Sequence, residues 1–269
     1  MPELPEVEVT RLGILPHLNQ RTLTRVVVRQ PKLRWPIPSN LSQLQQQVLQ
    51  TIERRGKCLI FTFPEHACVV HLGMSGHLRI TTTDEAWQKH DHWQWAFEGI
   101  ALRYQDPRRF GSLVWLDALQ TQRLARLGPE PLSDDFHADY LYEAARNKTQ
   151  TVKAFLMRQD VVVGVGNIYA NEALFGSSVH PMRAAHSLTI AECASLVEGI
   201  KAILAQAITV GGTTLKDFAN ADGKPGYFSQ QLNVYGLAGK PCPVCHHAIE
   251  KCVIAQRSTF YCSRCQPPH

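Results

Sequence analysis

Four cysteines near the C-terminus constrain this chain more than any other feature. Cys242, Cys245, Cys262 and Cys265 form a C-x2-C-x16-C-x2-C pattern. Two such pairs on hairpins bring four thiolates into tetrahedral reach of one ion, so the spacing predicts a zinc ribbon. A site of four thiolates keeps no open coordination position, which gives the metal a structural task rather than a catalytic one. A redox role would need a single C-x-x-C in a thioredoxin-like context, which is missing. His246 and His247 flank the first pair as neighbours of the metal or as solvent-facing groups rather than as ligands. The remaining cysteines, Cys58, Cys68, Cys193 and Cys252, follow no spacing and read as reduced, mostly buried thiols.

Upstream of the ribbon the chain changes period once. Between about residues 22 and 116, eight short β-rich runs (TLTRVVVRQ, VLQTIERR, CLIFTF, CVVHLG, HLRITTT, HWQWAF, IALRYQ and SLVWL) alternate with turns, which predicts a β-sandwich or barrel. The acidic, proline-bearing LGPEPLSDD (127–135) breaks that pattern. Beyond it SDDFHADYLYEAARNK, TVKAFLMRQ and SLTIAECASLVEGIKAILAQAI read as helices. The last is the clearest, with Leu196, Ile200, Ile203 and Ala207 on one stripe and Thr189 with Glu192 as a capping box.

Charge is distributed unevenly. Residues 1–57 carry nine Lys/Arg against four Asp/Glu, residues 58–200 twelve against sixteen, and residues 201–269 seven against three. Two basic ends suit a polyanion held between them, or a solvated surface of uneven charge. No apolar run is long enough for a bilayer, and residues 2–8 lack the cationic and apolar segments of a secretory signal, so a soluble, cytoplasmic protein is expected.

Several stretches carry candidate chemistry. AQRSTFYC places Arg257 on the ribbon hairpin with Lys251 nearby, a candidate phosphate grip. VVVGVGNIYANE (161–172) resembles a dinucleotide loop only superficially, because Tyr169 stands where the third glycine belongs. It reads instead as a turn between helices, either an ordinary one or one whose Gly166 and Asn167 amides face an anion. YQDPRRFG puts Arg108 and Phe110 on a hairpin tip, and HLGMSG puts Met74 on another loop; such side chains wedge into base stacks or simply pack.

The N-terminus, MPELPEVEV, combines a removable methionine with Pro2, whose free secondary amine would be partly neutral near physiological pH. Pro5 can begin a helix whose positive end disfavours protonation of that amine. Glu3 and Glu6 stand within reach as proton-transfer groups or as helix-dipole partners. An amine nucleophile suits a carbonyl-like carbon such as a sugar C1′ losing its base.

PELPEVE, RRGK (54–57), HLGMSG (71–76), KHDH (89–92), DPRRFG (106–111), VGNIYANE (165–172), GGTTLKDF with DGKPGYF (211–228) and the cysteine ribbon together resemble, along the whole chain, the bacterial formamidopyrimidine-DNA glycosylase (8-oxoguanine DNA glycosylase) family. The resemblance implies an N-terminal helix plus β-sandwich catalytic domain over residues 1–130. A helical domain with a helix-two-turns-helix element and a lesion-capping loop would follow over 131–225, and a zinc finger over 226–269. It further implies a monomer in the nucleoid that excises oxidised purines from double-stranded DNA and cleaves abasic sites by β,δ-elimination. Pro2 would form a Schiff base at C1′, Glu3 would move protons, and Lys57 would contact the phosphate or the lesion. Met74, Arg108 and Phe110 would fill the space left by the flipped nucleotide, with Arg108 reading the opposite cytosine. Asn167 and Arg257 would bind phosphate, and His71, His90 and Lys153 would add backbone contacts. Lys216 to Tyr227 would form the lid, in keeping with Gly223, Pro225 and Gly226.

Two positions depart from the family pattern. Arg158 and Asp160 exchange acid and base before the valines, which puts a local salt bridge in doubt, and Val9 replaces a common Thr. Two other readings compete. A non-catalytic zinc-ribbon lesion binder would have no need of Pro2 beside Glu3, and the sister family, endonuclease VIII, has Gly where this chain has Leu4 and lacks the HLGMSG and DPRRFG forms.

Overall fold

The computed structural model describes residues 2–212 and 231–268. The chain divides into two compact units, residues 1–125 with 210–229, and residues 126–209 with 230–269. The lid segment expected at Lys216 to Tyr227 lies outside the described residues. Among those residues no helix is long and apolar enough to cross a membrane.

The first unit opens with α1 (Leu4–Leu18), with Pro5 in its first turn. Eight strands follow: β1 (Arg25–Val28), β2 (Thr51–Arg55), β3 (Cys58–Thr62), β4 (Ala67–His71), β5 (His77–Thr81), β6 (Asp91–Ala96), β7 (Ala101–Gln105) and β8 (Ser112–Trp115). Each coincides with one of the eight runs read from the sequence, β4 and β6 starting one residue ahead of theirs. They form two antiparallel four-stranded sheets, ordered β1-β6-β7-β5 and β2-β3-β4-β8, which settles the architecture as a sandwich.

Alternation drives the packing: in β3, Leu59 and Phe61 turn inward while their neighbours are half-exposed. Phe61 meets Trp95 of the opposite sheet edge-on at 5.2 Å between centroids, and burying such aromatic pairs contributes more than the same area of aliphatic contact. Strand β6 is buried on both faces. Trp93 and Trp95 belong to the core, while Arg103, fully buried, donates to Gln94 on the other face. A short helix, α2 (Ala118–Ala125), fills the interval between the last β run and the break at 127, to which the sequence assigned no element; none of its residues is buried.

The second unit contains α3 (Ala138–Ala145), α4 (Val152–Leu156), α5 (Asn167–Gly176), α6 (Ile190–Thr209) and the hairpin of β9 (Glu250–Ile254) and β10 (Arg257–Tyr261). Helix α6 starts as read: the Glu192 amide donates to Thr189 Oγ1 at 3.2 Å, and the Thr189 amide to the Glu192 carboxylate at 2.8 Å. Its buried stripe runs through Leu196, Ile200, Leu204 and Ala207, so Leu204 takes the place expected of Ile203. α4 and α5 are joined by a turn-rich segment ending at Gly166, the N-cap of α5. Arg158 and Asp160, whose exchange put a salt bridge in doubt, pair with each other at the surface, Nε to Oδ1 at 3.0 Å.

Candidate active site and metal centre

In the first unit, Pro2 and Glu3 are buried at the head of α1. Glu3 is the N-cap, and its amide donates to Glu6 Oε2 at 2.8 Å. The Glu6 carboxylate therefore fixes the backbone that leads to Pro2, where the exposed amides of a helix start favour negative over positive charge. The two glutamates thus form a capping box at the head of α1.

Lys57 lies in a two-residue hairpin between β2 and β3, with Arg55 paired to Cys58 and Gly56 at φ +57°. Glycine at the first turn position with positive φ is what a tight hairpin of this hand requires. Across the β3–β4 pair, Cys58 faces His71, so Lys57 and His71 crowd one end of the sheet. His71 Nδ1 accepts the Gly73 amide at 2.9 Å, leaving the neutral ring's proton on Nε2 as a donor.

Burial, reinforced by the charges of Lys57 and Arg34, holds the His71 pKa down to about 4. Between that value and the ordinary 6.5 the unfolded chain binds the extra proton. The stability supplied by neutral His71 is thus present above pH 6.5 and lost as pH falls toward 4. We expect His71→Gln to flatten the acid limb of a stability-versus-pH curve by on the order of 2 kcal/mol. Superimposable curves for the two proteins would contradict a desolvated, neutral His71.

The wedge candidates lie on two loops of the same unit. Arg108 and Phe110 are exposed and preassembled, with the guanidinium 4.9 Å from the ring centroid. Met74 is half-buried on the β4–β5 loop. His90, at φ +69°, lines an open cavity of about 430 Å³ together with Arg29, Lys89 and Arg109, a positive surface that composition alone did not reveal.

In the second unit one backbone atom organises the predicted phosphate contacts. The Ser258 carbonyl accepts from Asn167 Nδ2 at 3.0 Å and from Lys153 Nζ at 2.9 Å, and Lys153 also donates to Thr259 Oγ1 at 2.7 Å. Lys153 is fully buried, so its charge stands beneath the hairpin rather than on the surface. Arg257 is exposed, next to the tight turn at Ala255 and Gln256, both with positive φ. Glu172, which no periodicity singled out, receives the amides of Asn233, Val234 and Tyr235 at 2.8 to 3.0 Å. Three charge-assisted bonds to one carboxylate pin the chain where it enters the ribbon.

The sulfurs of Cys242, Cys245, Cys262 and Cys265 lie within 4.8 Å of one another. Four soft donors at that spacing fit one tetrahedral zinc ion, and no imidazole competes. His246 is exposed and His247 half-exposed, outside the ligand set. The zinc site is structural.

Comparison with known proteins agrees with this construction. The formamidopyrimidine-DNA glycosylase N-terminal domain profile matches residues 1–113, the H2TH domain of the same enzyme matches 127–219, and the zinc finger found in FPG and IleRS matches 239–268. The formamidopyrimidine-DNA glycosylase of Photobacterium damsela subsp. piscicida is 53% identical over 269 residues, covering 99% of this chain and 100% of the relative. A Lactococcus lactis FPG mutant in complex with Fapy-dG-containing DNA superposes with a TM-score of 0.91 at 32% identity, covering 99% of this chain and all of the other. The Lactococcus lactis enzyme bound to abasic-site DNA gives the same TM-score and identity over 98% of this chain and 99% of that one. With a sandwich, an H2TH segment and a four-cysteine finger matched in order along its length, the chain belongs to the formamidopyrimidine-DNA glycosylase family.

Proposed function

We propose that this protein is a base excision repair enzyme that removes oxidised purines, 8-oxoguanine and formamidopyrimidines, from duplex DNA and then cleaves the abasic strand by β,δ-elimination. The observation that carries the reading is the buried Pro2–Glu3 head of α1, built within a chain that matches the family from end to end. Once Met1 is removed, the Pro2 nitrogen attacks C1′, the C1′–N9 bond breaks and its electrons leave with the base. The nitrogen loses its proton, the C1′–O4′ bond opens with its electrons going to O4′, which takes up a proton from Glu3, and the ring-opened sugar is held as an iminium. Glu3 carries protons at the sugar, and Lys57 meets the adjacent phosphate or the lesion. Withdrawal of the C2′ proton then expels the 3′ phosphate, and a second elimination expels the 5′ phosphate.

Met74, Arg108 and Phe110 occupy the space the nucleotide leaves, with Arg108 facing the opposite cytosine. His71 donates to backbone phosphate through Nε2, and His90 adds a contact beside its basic cavity. Asn167 and Arg257 hold phosphate in the second unit, with the Lys153 charge behind them. The domain limits near residues 130 and 225 belong to the same proposal.

Borohydride trapping on a duplex with 8-oxoguanine opposite cytosine tests it. We expect a covalent adduct that mass spectrometry locates on a peptide beginning at Pro2. Intact duplex binding with no adduct, by a protein shown to lack Met1, would favour a non-catalytic lesion binder.

A further inference from the structure

The two loops that carry the wedge residues are thirty residues apart in sequence, yet one side chain joins them. Asp106 is fully buried. Its Oδ1 accepts Ser75 Oγ at 2.6 Å and the Arg108 amide at 3.2 Å. Its Oδ2 accepts the Gly111 amide at 2.9 Å and lies 3.0 Å from the Tyr104 hydroxyl. That hydroxyl also lies 3.1 Å from the Leu72 carbonyl, so its one proton is shared between the two loops. A buried carboxylate is costly unless donors surround it, and here four do, drawn from both loops and from β7.

The backbones touch as well. A Cβ on Gly73, at φ +76°, would fall 2.4 Å from the Gly111 nitrogen, and one on Gly111 would fall 1.7 Å from the Tyr104 hydroxyl. Neither glycine can be replaced without parting the loops. Arg109, between the two wedge residues, holds φ +55° and donates its amide to the Asp106 carbonyl at 3.2 Å. A non-glycine residue in that region persists only where its surroundings over-determine it.

We propose that Asp106 is a positioning residue that locks the β4–β5 and β7–β8 loops together, so that Met74, Arg108 and Phe110 enter the base stack as one rigid body. The proposal rests on the reading of those three as the side chains that fill the vacated space. Independent loops would each lose conformational freedom on insertion, whereas a locked pair is already ordered before DNA arrives.

Two variants test the lock. Asp106→Asn keeps the shape but turns an NH2 toward groups that donate, and Ser75→Ala removes the bond to Oδ1 and the longer one from the Arg108 amide while leaving the carboxylate. Each is assayed for thermal unfolding, for single-turnover excision of 8-oxoguanine, for fluorescence of a 2-aminopurine placed beside the lesion, and for cleavage of a pre-formed abasic site. We expect Asp106→Asn to slow excision roughly tenfold to a hundredfold and Ser75→Ala to slow it less, both with a weakened 2-aminopurine signal. Cleavage at the abasic site, where no base has to be expelled, stays within about twofold.

Met74→Ala and Phe110→Ala are measured alongside. In the native background their combined effect falls short of the product of the single effects, and in the Asp106→Asn background the two multiply independently. If both alanine variants slow excision while Asp106→Asn and Ser75→Ala do not, the lock is wrong and the wedge reading stands. Silent alanine variants would remove the wedge reading itself. Equal losses in excision and abasic cleavage would also overturn the lock, since the defect would then lie outside the positioning of the wedge. Should Asp106→Asn fail to fold, Ser75→Ala decides by the same criteria.

Discussion

Pro2→Gly is expected to lower the rate of 8-oxoguanine excision by roughly a thousandfold or more while leaving duplex affinity within about twofold. Glycine at that position still permits removal of Met1, so an amine remains at the chain start and the change is one of quality. Proline's ring fixes the direction of the nitrogen lone pair, and a secondary amine becomes a cationic iminium on condensation without a further proton. A primary amine on glycine loses the directional constraint and yields an imine that must be protonated before it can withdraw electrons. The loss is expected to be smaller at a pre-formed abasic site, whose aldehyde already presents a carbonyl carbon to any amine. Single-turnover kinetics and borohydride trapping read both steps, with the N-terminus verified by mass. Excision at the native rate would remove Pro2 from the mechanism and leave the assignment of Glu3 without its partner.

The second large effect concerns the metal. Removing zinc, by chelation or by Cys262→Ser, is expected to unfold the ribbon and to weaken duplex binding roughly a hundredfold. Among the described residues the buried apolar cluster around the ribbon consists of Phe175, Val234, Cys242, Ile249, Phe260 and Cys262, with Tyr235, Cys245 and Cys265 packed against it; four of these nine are metal ligands, which leaves too small a core to stand alone. Unfolding of the hairpin removes Arg257 from its place and releases Lys153 and Asn167 from the Ser258 carbonyl, so several predicted phosphate contacts fail together. The dependence of affinity on salt should become shallower by about one unit of log–log slope for each phosphate that the protein no longer neutralises. Unchanged affinity and slope in a protein shown to be zinc-free would place the DNA grip elsewhere.

Much of this molecule was legible where the signal is local. Strand runs, the Thr189–Glu192 box and the cysteine spacing each depend on residues a few positions apart, and the structure contains all three. Helix α2 escaped because it buries nothing, and Leu204 displaced Ile203 because steps of three and of four from Ile200 both keep to one helix face, so spacing alone does not choose between the neighbours. The site was legible only through its motifs, as residue types on short loops. Glu172 and Asp106 stood within those motifs without a role, since each acts on backbone amides far away in sequence or across a loop.

The sequence by itself determined that there is a zinc ribbon, a region of eight β-rich runs, a helical region after it, and a Pro2–Glu3 start that makes an amine nucleophile a candidate. Only the tertiary structure decided which strands share a sheet, since the β1-β6-β7-β5 order is set by which apolar faces bury one another and not by chain neighbours. It also decided that His71 is neutral, that Lys153 lies inside, and that Asp106 binds two loops together. Desolvation and long-range hydrogen bonds arise from groups that the fold brings together, and a linear pattern carries no record of those distances.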